Sequence, residues 1–225
     1  MTPAQALIEL RAHPRKWLQK HYLKAYAGVP ATFSAQQPHF GNTGYVDAAG
    51  LVGVAGGNVF DRSPGTAKKF GPWTGTDRRA FTFDRAGGQA AFVGTSVTAL
   101  AINIPVLDSA TLNGNYAGIA LDDLGTALNC NFAVTTLLNG CSFIVDGANP
   151  HVRHIQPTGG TTSAALRNGL HPHYGLVFGG GGNEYDHVLE DVTIVGVRRG
   201  GGWKIYAQVH TRNARDILRV VKLHG

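Results

Sequence analysis

The chain has 225 residues, which suits one domain with a sizeable core, and only 15% of them are charged. Its 31 glycines and its many short β-branched runs favour a turn-rich β protein and argue against a helical bundle. Two cysteines are too few for a disulfide scaffold, and no segment is apolar for long enough to span a membrane. The formal net charge of +6 favours acidic partners, such as nucleic acid, a membrane surface or an acidic protein face.

The N-terminus predicts two helices. Thr2 and Pro3 suit the cap and the first position of one helix, and Pro14 opens a second helix that continues to Tyr26. We interpret the second helix as packed on the domain with its basic face in solvent; the alternative is an export or membrane-surface helix. The predicted units are an N-terminal helical segment, residues 1–27, and a single β-rich domain, residues 28–225.

The later part of the chain predicts strands joined by tight turns. Residues 97–107 are a long apolar run, typical of a strand in the centre of a sheet. Residues 191–197 and 203–209 predict a hairpin, and residues 217–223 predict a strand that closes the same sheet. Four consecutive glycines, residues 179–182, predict a mobile turn. We therefore expect an α+β fold, with a mainly β, sandwich-like core and helices at the N-terminus.

The main chemical signal is a strand, a turn and a second strand near the middle of the chain. If residues 146–149 form the turn, Cys141 lies opposite His154 on one face of the strand pair, and His151 projects from the other face. A thiol beside an imidazole is a nucleophile with its base, because the imidazolium favours the thiolate and can protonate a leaving group. The alternative is a small buried thiol that faces a surface histidine.

Other polar clusters are weak candidates for metal ligands. Asp122 and Asp123 are adjacent, so on a strand their carboxylates point to opposite faces. His171 and His173 flank a proline and lack a further cluster of ligand residues beside them. We therefore expect no metal site at these residues.

The middle stretch also resembles the catalytic core of a known group of enzymes; it reads Leu138-Asn139-Gly140-Cys141-Ser142-Phe143, then Asp146-Gly147, then His154-Ile155. The group is the bacterial glutamine deamidase toxins of the Burkholderia lethal factor and cytotoxic necrotising factor families. The chemotaxis receptor deamidases share the same site plan. The resemblance is good over residues 135–155 and loose elsewhere, and Asn139 stands where the family usually has serine.

The resemblance implies a role for three residues. Cys141 would be the nucleophile and His154 the general acid/base. Thr135, six residues before the cysteine, would orient the histidine through its backbone carbonyl. It further implies a toxin or effector that deamidates a glutamine of a host protein to glutamate through a thioester, without a cofactor. The host proteins of such families are Rho-type GTPases and a translation-initiation helicase.

Some expectations concern context, and two alternative functions stay open. We expect a monomer that binds no nucleic acid. We also expect it to be secreted or injected into the host cytosol by a separate system, because the N-terminus lacks a classical signal peptide. One alternative is another cysteine hydrolase, although papain-like enzymes place the histidine much further from the cysteine than the thirteen residues found here. The other is a non-enzymatic, basic, β-rich binding module.

Overall fold

The structure is a computed structural model that describes residues 3–25, 68–72, 81–85, 101–104, 106–109, 119–122, 131–135, 137–212 and 216–225. The helices in these ranges are α1 (Pro3–Ala12), α2 (Pro14–Leu18) and α3 (Ser163–Leu170). The strands are β1 (Leu23–Ala25), β2 (Lys68–Pro72), β3 (Phe81–Arg85), β4 (Ala101–Ile104), β5 (Val106–Asp108), β6 (Ile119–Ala120), β7 (Phe132–Thr135), β8 (Ser142–Asp146), β9 (His151–Gln156), β10 (Leu176–Gly179), β11 (Glu190–Arg199), β12 (Gly202–Thr211) and β13 (Ile217–His224).

Two five-stranded sheets form the centre of the fold. One has the strand order β13-β12-β11-β7-β4, and the other has the order β10-β8-β9-β5 with β6 as a further partner of β9. Both sheets contribute to one buried cluster, in which Phe143 and Val152 of the second sheet pack with Ile194 and Trp203 of the first. The sheets therefore pack face to face, as in a sandwich. The expected α+β class with a mainly β core is confirmed.

Helices cover the outer faces of both sheets. On the first sheet, Leu10 of α1 and Trp17 of α2 pack with Val195 of β11, which points away from the sandwich interior. On the second sheet, Leu166 of α3 packs with Ile144 of β8. The described part of the chain thus has four layers, helix–sheet–sheet–helix. A short third sheet, β1-β3-β2, stands apart from this order.

The N-terminal helices pack on the first sheet, but the second helix is shorter than expected. It ends at Leu18, and Leu23–Ala25 forms a strand parallel to β3. Gln208 stabilises this arrangement, since its side chain donates to the carbonyl oxygen of Leu18 and accepts from the backbone N–H of Leu23 at 2.8 Å. Tertiary pairing thus overrides the helical pattern. The predicted boundary between residues 27 and 28 lies outside the described residues.

The basic residues of this N-terminal segment face solvent. Arg15, Lys16 and Lys20 are exposed, while Trp17 and Leu18 between them are buried. This is the arrangement that we expected of a helix packed on the domain. Among the described helices, none has the length and apolar character needed to cross a membrane.

The C-terminal hairpin matches its sequence pattern. Strands β11 and β12 pair antiparallel with Arg199 opposite Gly202, so Gly200 and Gly201 form a two-residue turn with φ of +60° and +85°. A turn with positive φ at both positions fits the twist of the flanking strands. Strand β13 pairs with β12 and closes the sheet, as expected.

Two segments differ from their predictions. Two short described strands, β4 and β5, lie in the apolar run that begins at residue 97. They belong to different sheets, and each is the last strand in the order of its sheet. The prediction of a single central strand is wrong because the chain passes from one sheet to the other within the run. Helix α3 was not predicted; Thr162 caps it, and its side chain accepts from the backbone N–H of Ala165 at 3.2 Å.

Candidate active site

The predicted nucleophile and base share one face of the second sheet, but their register differs from the expected one. Strands β8 and β9 pair with Phe143 opposite His154, so the prediction that Cys141 lies opposite His154 is wrong by two residues. The loop comprises residues 147–150 and begins at Gly147, whose φ is +77°. Because faces alternate with a period of two, a shift of two residues leaves Cys141 and His154 on the same side of the sheet.

The pair is therefore diagonal across two neighbouring strands. Cys141 directly precedes β8, and its side chain belongs to the same buried cluster as Phe143 between the two sheets. His154 is fully buried, and Cys141 is only 7% exposed. Diagonal neighbours on adjacent strands lie about 7–8 Å apart, with their Cβ atoms somewhat closer, and the thiol makes no hydrogen bond to Nε2 of His154.

Thr135 orients the histidine from the facing sheet. Its hydroxyl oxygen lies 2.8 Å from Nδ1 of His154 and donates its one proton to the carbonyl oxygen of Ile104, also at 2.8 Å. The hydroxyl therefore accepts from an Nδ1–H group, which places the ring proton on Nδ1 and leaves Nε2 as the basic nitrogen. The resemblance implies a backbone carbonyl of Thr135 in this role; the observed contact comes from its hydroxyl.

The basic nitrogen of the histidine, Nε2, is buried and makes no hydrogen bond within the described part of the structure. A buried polar atom of this kind costs free energy unless a partner arrives, and such atoms are rare in folded proteins. A substrate atom or the thiol proton is a suitable partner for Nε2.

Burial keeps both members of the pair neutral. Burial lowers the pKa of His154 to about 3 and raises the pKa of the Cys141 thiol to about 11. The backbone N–H of Asn139 acts on the thiol pKa in the opposite direction, with a smaller effect. At neutral pH the pair is thus a thiol and an imidazole, and not a thiolate–imidazolium ion pair. A thiolate must form as the thiol attacks, by proton transfer to Nε2.

Residues far along the chain hold the backbone of the nucleophile. The carbonyl oxygen of Cys141 accepts from the hydroxyl of Tyr185 at 2.7 Å and from the backbone N–H of Gly180 at 3.3 Å. Tyr185 is buried and stacks on Phe178 with ring centroids 5.8 Å apart. Three residues before the nucleophile, Leu138 exchanges two backbone hydrogen bonds with a residue of β11. The nucleophile is therefore anchored to both sheets.

The glycine run packs tightly against residues 139–141, which we call the nucleophile loop. A Cβ atom at Gly180 would lie 3.0 Å from the hydroxyl oxygen of Tyr185 and 3.1 Å from Cα of Gly140. Gly140 has a φ of +88°, and a Cβ there would lie 2.9 Å from Oγ of Ser163. Close packing accounts for glycine at these two positions, and the mobility that we expected of the run stays a prediction. Sequence analysis missed Tyr185, although a glycine run is a signal for close backbone approach.

The thiol of Cys141 and the imidazole of His154 are groups of the kind that bind metals, but the described residues add no third ligand. Within the described ranges, no three His, Cys, Asp or Glu side chains come together in a way that could hold a metal ion. Cys141 carries a free thiol. His171 and His173 are exposed in the loop after α3. Cys130 and Asp123 lie outside the described residues.

Two comparisons with known proteins give no relative from which to transfer a function. No protein-family model matches this chain, and a search of curated proteins found no match. Function is therefore inferred from the residues themselves. Their chemistry is a buried thiol, an imidazole with its tautomer set by Thr135, and a nucleophile loop fixed by Tyr185 and Gly180.

Proposed function

We propose that this protein hydrolyses the side-chain amide of a protein-bound glutamine to glutamate and ammonia, with Cys141 as the nucleophile. One observation carries the proposal: the hydroxyl of Thr135 sets the tautomer of His154, and the basic Nε2 of that ring lies on the face that Cys141 shares. A nucleophile, a base and a group that orients the base are the three parts of a covalent hydrolase site. The resemblance to deamidase toxins assigns the same three residues.

The first half of the reaction forms a thioester. Sγ of Cys141 attacks the carboxamide carbon while its proton passes to Nε2 of His154. The imidazolium is a strong acid here because burial lowers the pKa of His154. It transfers the proton to the amide nitrogen, the C–N bond breaks, and ammonia leaves. The acyl group then remains on Cys141 as a thioester.

The second half of the reaction restores the thiol. His154 is neutral again and accepts a proton from a water molecule, which attacks the thioester carbon. The C–S bond breaks, and the proton on Nε2 returns to the thiolate of Cys141. The balance is one amide and one water consumed, one carboxylic acid and one ammonia formed. If a primary amine replaces water, the same site performs transglutamination.

Developing negative charge on the amide oxygen needs a donor close to the thiol. We assign this role to the backbone N–H of Asn139, the group that lowers the pKa of the Cys141 thiol against the larger effect of burial. Backbone donors are well suited to it because they are already in place before the charge develops. Loss of one such donor typically costs about a hundredfold or more in kcat.

The resemblance extends the proposal to the biological role. It supports a toxin or effector that acts, as a monomer, on a host protein of the Rho-type GTPase or translation-initiation helicase class after secretion or injection. The thiol is only 7% exposed, so the substrate must present its amide at the end of a side chain that can reach into the site. A long, flexible side chain on a protein surface meets that requirement.

The test is a mass-spectrometric comparison of lysates treated with wild-type protein, Cys141→Ser or His154→Ala. Animal, plant and bacterial lysates are used, and glutamine-to-glutamate conversion is measured at individual sites. The proposal expects at least one site that only the wild-type protein converts. If no lysate yields such a site, the deamidase function is overturned. Retention of a partner by Cys141→Ser without any product would instead favour a binding module.

A further inference from the structure

Arg212 joins residues 187–191 to Asn139 of the nucleophile loop. Its Nε donates to Oδ1 of Asp191 at 3.1 Å, and its Nη2 donates to the carbonyl oxygen of His187 at 2.6 Å. The same Nη2 also donates to the side-chain oxygen of Asn139. The backbone N–H of Arg212 donates to the carbonyl oxygen of Leu189 at 3.0 Å. Both the backbone and the side chain of Arg212 are therefore held in place.

The contact with Asn139 is the one that reaches the site. Asn139 is an exposed residue two positions before Cys141 in the same loop. Its neighbour Leu138 is paired with Val192, the residue that follows the Asp191 partner of Arg212. The loop is thus tied to the start of β11 twice, once through the backbone and once through the guanidinium group.

We propose that Arg212 is a positioning residue that holds residues 139–141, and with them the buried thiol, in place through its hydrogen bond to Asn139. Its effect on catalysis rests on the proposed deamidase function, but its effect on the thiol does not. Arg212 makes no hydrogen bond to the thiol among the contacts that the structure describes, so it acts through the loop. Asn139, which departs from the serine of the resembling families, supplies the side-chain oxygen for this contact.

The shape of the guanidinium group matters as much as its charge. A carboxylate, a backbone carbonyl and a side-chain amide oxygen accept from Arg212 in different directions. The planar guanidinium presents donors in a fixed fork, whereas a lysine ammonium is a compact charge at the end of a flexible chain. Arg212→Lys should therefore preserve the local charge but lose the hydrogen bond to Asn139 that holds the loop.

The main test measures alkylation of Cys141 by iodoacetamide in the folded full chain, with Cys141 and Cys130 separated at the peptide level. Arg212→Ala and Asn139→Ala should each increase the rate at Cys141 about tenfold or more, because local opening exposes a buried thiol. Arg212→Lys should resemble Arg212→Ala. The double variant should react no faster than either single variant, because both remove one and the same contact.

Arg219→Ala is the matched control. Arg219 also makes three hydrogen bonds, two to the carboxylate of Glu190 and one to the carbonyl oxygen of Glu184, but none to the nucleophile loop. Its loss should leave the alkylation rate of Cys141 at the wild-type value. Equal acceleration by Arg219→Ala would mean general loosening and would overturn the proposal. Because Asn139 is exposed, Asn139→Ala is expected to fold normally and keeps the test decisive if Arg212→Ala does not fold.

Deamidation kinetics form a second, separate readout. Once a substrate is known, Arg212→Ala should lower kcat about tenfold or more with little change in KM, since misplacement of reacting groups affects the chemical step. Thiol reactivity and amide hydrolysis should thus move in opposite directions. Wild-type alkylation rates in both Arg212→Ala and Asn139→Ala would overturn the positioning role. A wild-type protein without deamidase activity would overturn the proposed function but leave the alkylation result valid.

Discussion

Thr135 and His154 belong to facing sheets, and the hydrogen bond between the threonine hydroxyl and Nδ1 of the histidine crosses the sandwich at 2.8 Å. The orientation of the imidazole therefore depends on how the two sheets pack. The other partner of the hydroxyl, the carbonyl oxygen of Ile104, sits on the strand next to β7. A side chain from one sheet thus sets the tautomer of the base on the other sheet. Removal of the hydroxyl oxygen of Thr135 tests this relationship.

Replacement of Thr135 by valine removes that oxygen with little change in shape. Nδ1 of His154 then loses its acceptor, and the tautomer with the proton on Nε2 is no longer disfavoured. We expect kcat for deamidation to fall about 10- to 100-fold, the range typical of residues that orient a functional histidine. Thr135→Ser is the control, because it retains the hydroxyl and should retain most of the activity. Equal activity of the valine and serine variants would contradict the orienting role.

The stability of the protein should fall in acid because of His154. Burial lowers the pKa of this residue from 6.5 in the unfolded chain to about 3 in the folded chain. Between pH 6.5 and pH 3, the unfolded chain therefore binds a proton at His154 and the folded chain does not. The free energy of unfolding should therefore decline as the pH falls below 6.5, by up to about 1.4 kcal/mol per pH unit from this group. Urea titrations of wild type and His154→Asn at several pH values measure the slope. An identical slope in both proteins would count against a buried neutral histidine.

Tyr185→Phe isolates one hydrogen bond to the nucleophile. The change removes the hydroxyl that donates to the carbonyl oxygen of Cys141 and leaves the ring stacked on Phe178. We expect a loss of about 0.5–1.5 kcal/mol in the free energy of unfolding, because the carbonyl loses one hydrogen bond but keeps the one from the backbone N–H of Gly180, and we expect a lower kcat.

A tyrosine on the other side of the first sheet provides the comparison for Tyr185→Phe. Tyr206 is 5% exposed in the cluster that the N-terminal helices cover, on the face of β12 that points away from the site. Tyr206→Phe should leave kcat unchanged. If both variants lose activity to the same extent, the hydroxyl of Tyr185 has no special role.

Gly180→Ala tests the close approach between the glycine run and the nucleophile loop. The new methyl group would lie 3.0 Å from the hydroxyl oxygen of Tyr185 and 3.1 Å from Cα of Gly140, so the backbone must shift. Forced shifts in packed regions typically cost about 1–3 kcal/mol, and we expect a similar loss of stability together with a loss of activity.

The hairpin offers a matched glycine. At Gly202, no described heavy atom lies within 4 Å of the position that a Cβ would take. Gly202→Ala should therefore change the free energy of unfolding by no more than about 0.5 kcal/mol. Thermal or urea unfolding of the two variants measures the difference. A stable, active Gly180→Ala variant would show that the contact is not required.

Local patterns in the sequence determined the features that depend on neighbours along the chain. The alternation of apolar residues predicts the β11–β12 hairpin, and Gly200 and Gly201 supply its turn, because strand periodicity and positive φ are properties of short segments. The same period of two places Cys141 and His154 on one face. That conclusion survives the register error, because an error of two residues does not exchange the faces.

Only the tertiary structure decided the features that depend on residues far apart in the chain. The hydroxyl contact between Thr135 and His154, the anchoring of Cys141 by Tyr185, and the bond from Arg212 to Asn139 all join distant segments. Burial between two sheets, which leaves the thiol and the imidazole both neutral, also arises only when those sheets pack. Strand and turn preferences act over a few residues. They therefore carry no information on which loop faces which strand across the core.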